Sequence, residues 1–438
     1  MQDHLTKRSF HYFDHPLKHK FWSLIKHRTL FFIATGLIGL FLPIYLYTEG
    51  GFTINQITIL YGSASLVYVL LLPYMGQVIN KLHIQKSMMG AVIFFSLYLA
   101  TLAYGVPYDI SLVILAFLFL TGFRFLYFTP YITEFSSQTE GGQSTRQVGV
   151  VMISKMVTSI FAPLLAGFIV TYYSYNVLYG FAIFFMLLSI APLASLGDEK
   201  HIKFDWDAPT VWKNYGKYLK TKSAYAYIAL GMETFIILFI WPLVLYEILD
   251  GDILLVGLVA TLISIIMIIV QATTAKLMDT KVSRSRSAFI MTPLSALGWV
   301  GKVFISSTGG LVLVSIYHDF TRMFFIGSVS SMEQDTFRES KEYMDEIISI
   351  REMYIHTGRV IAAILVVFLL SAFGVQTTLW IAVIGSLIQV GFLKKDMVVR
   401  GKVTDMKETV PEEVTVAMEE VVEEIVQKKE YQPGEEVR

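Results

Sequence analysis

The chain alternates long apolar runs with short polar ones, and the alternation sets its architecture. Runs nearly free of charge open at Thr29 (to Tyr47), Ile57 (to Met75), Ser87 (to Tyr104), Ile110 (to Tyr131), Val148 (to Tyr173) and Val177 (to Leu196). After a polar stretch they resume at Ala224 (to Tyr246), Ile253 (to Ala275), Ala288 (to Ser306), Leu311 (to Val329), Ile350 (to Phe373) and Thr377 (to Leu393). Each is long enough to cross a hydrocarbon core of about 30 Å as a helix. The pattern predicts an all-α membrane protein with twelve transmembrane helices in two groups of six, over 29–196 and 224–393. A cytosolic arm (1–28) precedes them, a cytosolic linker (197–223) joins them and a charged cytosolic tail (394–438) follows.

An even number of spans puts both termini on one side, and the Lys and Arg positions say which. Thirty of the 35 fall in the arm, the tail or alternate loops, and none in the six loops around Glu49, Asp109, Tyr173, Asp250, Gly309 and Val375. This positive-inside pattern predicts an integral, multi-pass protein of a cell or inner membrane with cytosolic termini. Composition agrees: 54% of residues are apolar and 16% charged, whereas soluble domains carry about a quarter charged. The absence of Cys removes thiolate metal sites, iron–sulfur clusters and Cys nucleophiles. In the linker, TVWKNYGKYLK reads as a basic, aromatic surface helix. In the tail, Val414, Met418, Val421, Val422 and Ile425 line one helical face, which either meets a cytosolic partner or the protein body, or belongs to a solvated charged segment.

The two halves echo one another. After the second span the chain reads Gly76-Gln-Val-Ile-Asn80-Lys81-Leu-His-Ile-Gln-Lys86, and after the eighth Ala275-Lys-Leu-Met-Asp279-Thr-Lys281-Val-Ser-Arg284-Ser-Arg286. Arg124 and Glu134 of the fourth span are answered by Arg322 and Glu333 of the tenth at nearly the same offset. One duplicated six-helix unit explains these matches. A small residue at Gly76 or Ala275 lets helix ends approach closely. Asp279, with Arg284 and Arg286 beyond it, suits a cytosolic latch against a neighbouring helix N-terminus. Pro163, inside the fifth span, removes a backbone hydrogen bond and permits a bend.

From about Arg28 to Leu393 the chain resembles the major facilitator superfamily. The loop after the second span is similar to that family's G-x-x-x-D-[RK]-x-G-[RK]-[RK] signature through Gly76 and Lys81, with Asn80 in place of the acid. The later copy keeps the acid as Asp279. The run Thr158-Ser-Ile-Phe-Ala162-Pro163-Leu-Leu-Ala166-Gly167 is similar to the family's antiporter signature, with Ala and Thr in its first three Gly places. The resemblance implies two pseudo-symmetric six-helix bundles rocking about a central cavity. The family's sugar-phosphate exchangers carry Arg in the first and seventh spans, and the spans bounded above carry none there.

Five cations (Arg124, Lys155, Lys302, Arg322, Arg359), two deep acids (Glu233, Asp319) and His318 and His356 fall within spans. A charge at a helix centre costs at least about 2.5 kcal/mol, so these groups line a cavity or pair with one another. Arg124, Lys155, Arg322 and Arg359 form a quasi-symmetric cationic set, expected to hold an anionic substrate. A local Asp319–Arg322 pair is the simpler reading of that stretch. A structural Arg124, bonded to Glu134 or a carbonyl, is the alternative there. Lys302 lies toward the outer end of its span, where it can snorkel. Glu233 stands alone in its span and is the first candidate for proton coupling, with Asp319 the second; its other reading is a pair with a surplus cation. No nucleotide-binding loop, H-E-x-x-H zinc motif or other enzyme signature occurs. The expectation is a monomeric secondary transporter, with no enzyme activity, cofactor, metal or nucleic-acid partner. It would move a small organic, anionic or amphipathic solute by proton-coupled antiport or export. The rivals are a broad-specificity drug exporter and a transport-dead sensor or scaffold using the tail.

Overall fold

The computed structural model describes residues 19–105, 109–138, 144–196, 204–278, 284–339 and 343–389. They form α1 (His19–Thr48), α2 (Ile54–Leu82), α3 (Ile84–Gly105), α4 (Ile110–Ser137), α5 (Ser144–Tyr172) and α6 (Tyr175–Ala194). A linker helix (Ala208–Tyr218) leads to α7 (Lys222–Ile248), α8 (Ile253–Met278), α9 (Arg284–Val303), α10 (Thr308–Glu339), α11 (Met344–Phe373) and α12 (Gln376–Ile388). Among the described residues, α1 to α7 and α11 contain eight helices long and apolar enough to cross a membrane. The apolar stretches of α8, α9 and α12 are shorter, and α10 is long but carries His318, Asp319 and Arg322. All twelve expected spans thus coincide with helices.

Helix starts explain why one set of loops is acidic. Thr53 forms a capping box with Gln56 at the start of α2. Asp109 accepts from the Ser111 amide, Ser174 from Val177 and Asp252 from Leu255. Short polar side chains satisfy amides that have no intrahelical partner, and acids there also suit the helix dipole. Among the described residues the α1 helix already runs from His19, ten residues before the apolar run, with Phe21, Leu24, Ile25 and His27 buried. His27 places its two ring nitrogens 3.0 Å from the Ser189 carbonyl and from the Tyr127 hydroxyl. The expected arm is therefore partly the first turns of α1; residues 1–18, the tail from 390 and Asp279 lie outside the described residues.

The bundles meet through two equivalent helix pairs, α2 on α11 and α5 on α8. Small residues permit both approaches. A Cβ on Gly62 would come within 2.6 Å of the Ala363 Cβ, and one on Gly257 within 2.6 Å of the Pro163 carbonyl oxygen. Thr261 donates to the Ile160 carbonyl across the second crossing, at 3.0 Å. Pro163 therefore sits at an inter-bundle contact. Lipid-side positions such as Ile153, Phe161, Leu258 and Leu313 are exposed and apolar.

Candidate functional site

Three helices enclose a cavity of about 330 Å³ between the halves. α5 contributes Met152, Lys155, Met156 and Ser159; α10 contributes Asp319, Arg322, Met323 and Ile326; α8 contributes Ser264, Met267 and Ile268. Each set follows the i, i+3, i+4 spacing of one helical face, so one stripe per helix faces inward while the opposite stripes meet lipid. The lining is cationic at Lys155 and Arg322, acidic at Asp319 and otherwise dominated by thioether and aliphatic groups.

Behind this wall lies a buried charge network in the second bundle. Glu233 is 1% exposed, and three donors converge on it. Its Oε1 accepts from Trp299 Nε1 and Arg322 Nε, both at 3.0 Å, and its Oε2 from Gln389 Nε2 at 2.9 Å. The reading of Glu233 as a solitary carboxylate is thus replaced by its alternative, a pair with a surplus cation. Among the described residues Arg322 makes its ion pair with Glu233 across the bundle and not with Asp319 on its own helix. Just beyond Glu233, α7 widens into a π-helical stretch, Ile236–Ile240, where the Trp241 amide bonds back to the Ile236 carbonyl. Pro242 follows and lacks a donor, which accounts for a local change of register at this site.

Lys302 does not snorkel. It is 3% exposed, its ammonium lies over the Trp241 ring at 4.1 Å and the Trp299 ring at 4.8 Å, and it stands 3.2 Å from His318 Nδ1. The same Nδ1 is 3.3 Å from Asp319 Oδ1. Gly298 makes this possible, since a Cβ there would press within 2.7 Å of the His318 Cβ.

The quasi-symmetric cationic set divides. Lys155 and Arg322 line the cavity, whereas Arg124 and Arg359 belong to a second polar cluster among α2, α4, α7 and α11. Arg124 donates to Ser65 Oγ at 3.4 Å and lies among Tyr61, Tyr68 and Tyr98. Arg359 approaches His356 Nε2 at 3.1 Å, and the His356 ring packs on Tyr68 at 4.3 Å. A bond from Arg124 to Glu134 is ruled out by rise alone, since ten residues along a helix span about 15 Å.

Two cations beyond the five-cation set prove to be inside. Arg28 lies within α1, its guanidinium 4.3 to 4.7 Å from the Phe31, Phe32 and Tyr131 ring centres and 3.0 Å from the Tyr127 hydroxyl, near enough to Lys155 for the charges to interact. The first helix therefore does carry an Arg, contrary to the sequence-based bounds. Arg351 grips Glu333 with two bonds of 2.7 and 3.2 Å and also bonds Glu352. For Arg28 the signal missed was a helix that begins before its apolar run, whereas Arg351 lies one residue inside its own.

Of the expected gating residues, Gly76 abuts the Phe204 ring, with which a Cβ would collide, and Lys81 is exposed. Asn80 donates to the Phe204 carbonyl at 2.8 Å and accepts from its amide at 3.0 Å. An ionised acid cannot donate, so Asn at this place fits a clamp on the linker. Arg284 and Arg286 open α9, their side chains outside the described residues, and the Asp279 latch is likewise outside them.

Residues 28–345 match the family model described as Major Facilitator Superfamily. The fold is similar to that of the human organic anion transporter MFSD10 (TETRAN), with a TM-score of 0.62, 12% identity, and coverage of 87% of this chain and 100% of that one. It is also similar to a POT family transporter solved in complex with a thioalcohol conjugated peptide, with a TM-score of 0.62, 12% identity, and coverage of 85% and 94%. No curated protein sequence matches.

Proposed function

The chain belongs to the major facilitator superfamily and is a membrane transporter, and from that premise we propose that it moves a small amphipathic organic anion by alternating access, coupled to protons in antiport or export. The observation that carries this reading is the cavity at the bundle interface. Its volume is at the small end of the roughly 300 to 1,000 Å³ typical of ligand pockets. Alternating access requires a site that both bundles touch, and α5 supplies one wall while α8 and α10 supply the other.

Charge bookkeeping refines the assignment. Arg322 already has Glu233 as counter-ion, whereas among the described residues no acid pairs with Lys155. Lys155, with Arg28 behind it, is therefore the first docking point for the anionic group, and Arg322 the second. Met152, Met156, Met267 and Met323 take the apolar part, since thioethers adapt to irregular shapes. Asp319, with a side chain 45% exposed, is the cavity acid open to a proton. Arg124 and Arg359 hold the second cluster and position helices rather than ligand.

Purified protein in proteoliposomes, with an imposed pH gradient and a panel of amphipathic anions, cations and neutral compounds, tests this. Anions should accumulate against their gradient, and Lys155→Ala should weaken their binding about 10- to 100-fold, the scale of a charge-assisted hydrogen bond. Unchanged anion binding in Lys155→Ala refutes the docking assignment, and purely downhill flux refutes secondary transport. The four methionines favour one second reading, a broad exporter of apolar compounds. It would show as neutral and cationic compounds moving independently of Lys155.

A further inference from the structure

His318 makes two contacts that one protonation state cannot satisfy. Its Nδ1 lies 3.2 Å from the Lys302 ammonium and 3.3 Å from an Asp319 carboxylate oxygen. Lys offers only donors and an ionised Asp only acceptors, and a single imidazole nitrogen either donates or accepts. If Nδ1 carries its lone pair it accepts from Lys302 and repels Asp319; if it carries a proton it donates to Asp319 and repels Lys302. The other ring nitrogen, Nε2, is buried without a hydrogen-bond partner. Among the described residues no other bond fixes the tautomer, and the ring is held edge-on to Trp299 at 4.6 Å, so it cannot swing away to relieve the conflict.

The three groups also form a line. Lys302 occupies the last turn of α9, buried against Trp241 and Trp299. His318 is 1% exposed, and Asp319 opens onto the cavity. The other charged groups acting on this line are Glu233 from α7, Arg322 from α10 and Lys155 from α5. Glu233 and Arg322 neutralise each other.

We propose that Lys302, His318 and Asp319 form a proton path joining the buried end of α9 to the cavity. The proposal rests on the proton-coupled reading above and names the groups that carry the proton. In the first step an N–H bond of the Lys302 ammonium breaks, leaving a neutral amine with its electron pair, and an N–H bond forms at His318 Nδ1. In the second, that N–H breaks as an O–H bond forms on Asp319, leaving a neutral imidazole and a neutral carboxylic acid. Lys302 then regains a proton from water at the exposed loop that follows α9 (Phe304, Ser306 and Ser307), and Asp319 loses one to the cavity. Placing the acid beside the ligand's docking cations lets its charge state respond to ligand, which is what coupling requires. Glu233, saturated by three donors, serves as the fixed counter-ion and not as the carrier.

The test uses the full chain in lipid nanodiscs and the proton as its own probe. Histidine nitrogen NMR, with His318 identified by its absence in His318→Gln, should show a neutral ring protonated at Nε2 near pH 8. Infrared titration through the acid range should show an Asp319 carboxylic acid band, absent in Asp319→Asn, growing in step with the change at His318. Lys302→Arg keeps the positive charge but cannot release its proton. His318→Gln should move the midpoint of the Asp319 band by at least about tenfold in proton concentration, the threshold for coupled sites, whereas Lys302→Arg should leave that midpoint in place and slow pH-driven proton flux in proteoliposomes. Identical Asp319 titrations in wild type and His318→Gln, or unchanged proton flux in Lys302→Arg, overturn the path. If His318→Gln fails to fold, Lys302→Arg alone decides. Should the titrations be uncoupled while pH-driven accumulation in proteoliposomes persists, the transport reading stands and the path falls. Coupled titrations without accumulation support the proton-linked triad and refute pH-driven transport.

Discussion

Replacing Glu233 by Gln separates the role of its charge from that of its shape. Gln keeps one carbonyl oxygen, which still accepts from Trp299 and Arg322, and Gln389 can turn its amide to present an oxygen to the new NH₂ group. What is lost is the charge on the acceptor. Hydrogen bonds to charged groups contribute about 1.5 to 3 kcal/mol and neutral ones about 0.5 to 1.5, so Glu233→Gln should cost about 1 to 2 kcal/mol. Glu233→Ala, which orphans all three donors, should approach the roughly 3 to 5 kcal/mol of a broken buried pair. The Arg322 side chain is 23% exposed toward the cavity, which holds the cost at the lower end. The assay is a double-mutant cycle with Arg322→Gln, read by reversible unfolding in detergent. The double variant should be less destabilised than the sum of the singles by about 1 kcal/mol or more, beyond the roughly 0.6 average for polar pairs within membranes. Additivity within about 0.5 kcal/mol would refute the ion pair as an energetic unit. Function supplies a second sign, because freeing Arg322 adds positive charge to the cavity: Glu233→Gln should bind anions more tightly, and weaker binding would count against the bookkeeping.

Gly257→Ala should destabilise by about 1 to 3 kcal/mol through overpacking against the Pro163 carbonyl, whereas Gly180→Ala, with open space around it, should be neutral or stabilising by melting temperature. Asn80→Asp should release the linker by removing the bond donated to Phe204, raising hydrogen exchange over 204–218 with little change elsewhere. The same linker helix is capped by Asp207, whose carboxyl is held below its usual range by hydrogen bonds from Thr210. That contribution is full above about pH 4 and disappears as pH falls through the depressed value, so protection of 208–218 should drop only in acid. Single cysteines at Glu49 or Asp250 should react with an impermeant thiol reagent in intact cells and one at Arg338 should not; the opposite labelling would invert the orientation.

The hydrophobic periodicity was enough to place the helices, and the resemblance of a few motifs to known signatures pointed to the superfamily. These are local or additive properties: a helix in lipid must satisfy its own backbone, and the side of a loop follows from its charges. Lys155, Arg322 and Asp319 were legible as inward-facing for the same reason, since lipid tolerates none of them. Which charge meets which was not legible. Glu233 and Arg322 are 89 residues apart, and Arg322 takes that distant acid over Asp319 because the fold of the second bundle brings Glu233 Oε1 within 3.0 Å of its Nε. Arg124 looked equivalent to Arg322 along the chain, yet Tyr61, Tyr68, Tyr98 and Ser65 give it a protein pocket away from the cavity. Arg28 was assigned to the arm because apolar runs mark where lipid begins, while helices continue wherever buried side chains hold them. The His318 conflict depends on Gly298 letting two helices touch, a distance that only the folded chain sets.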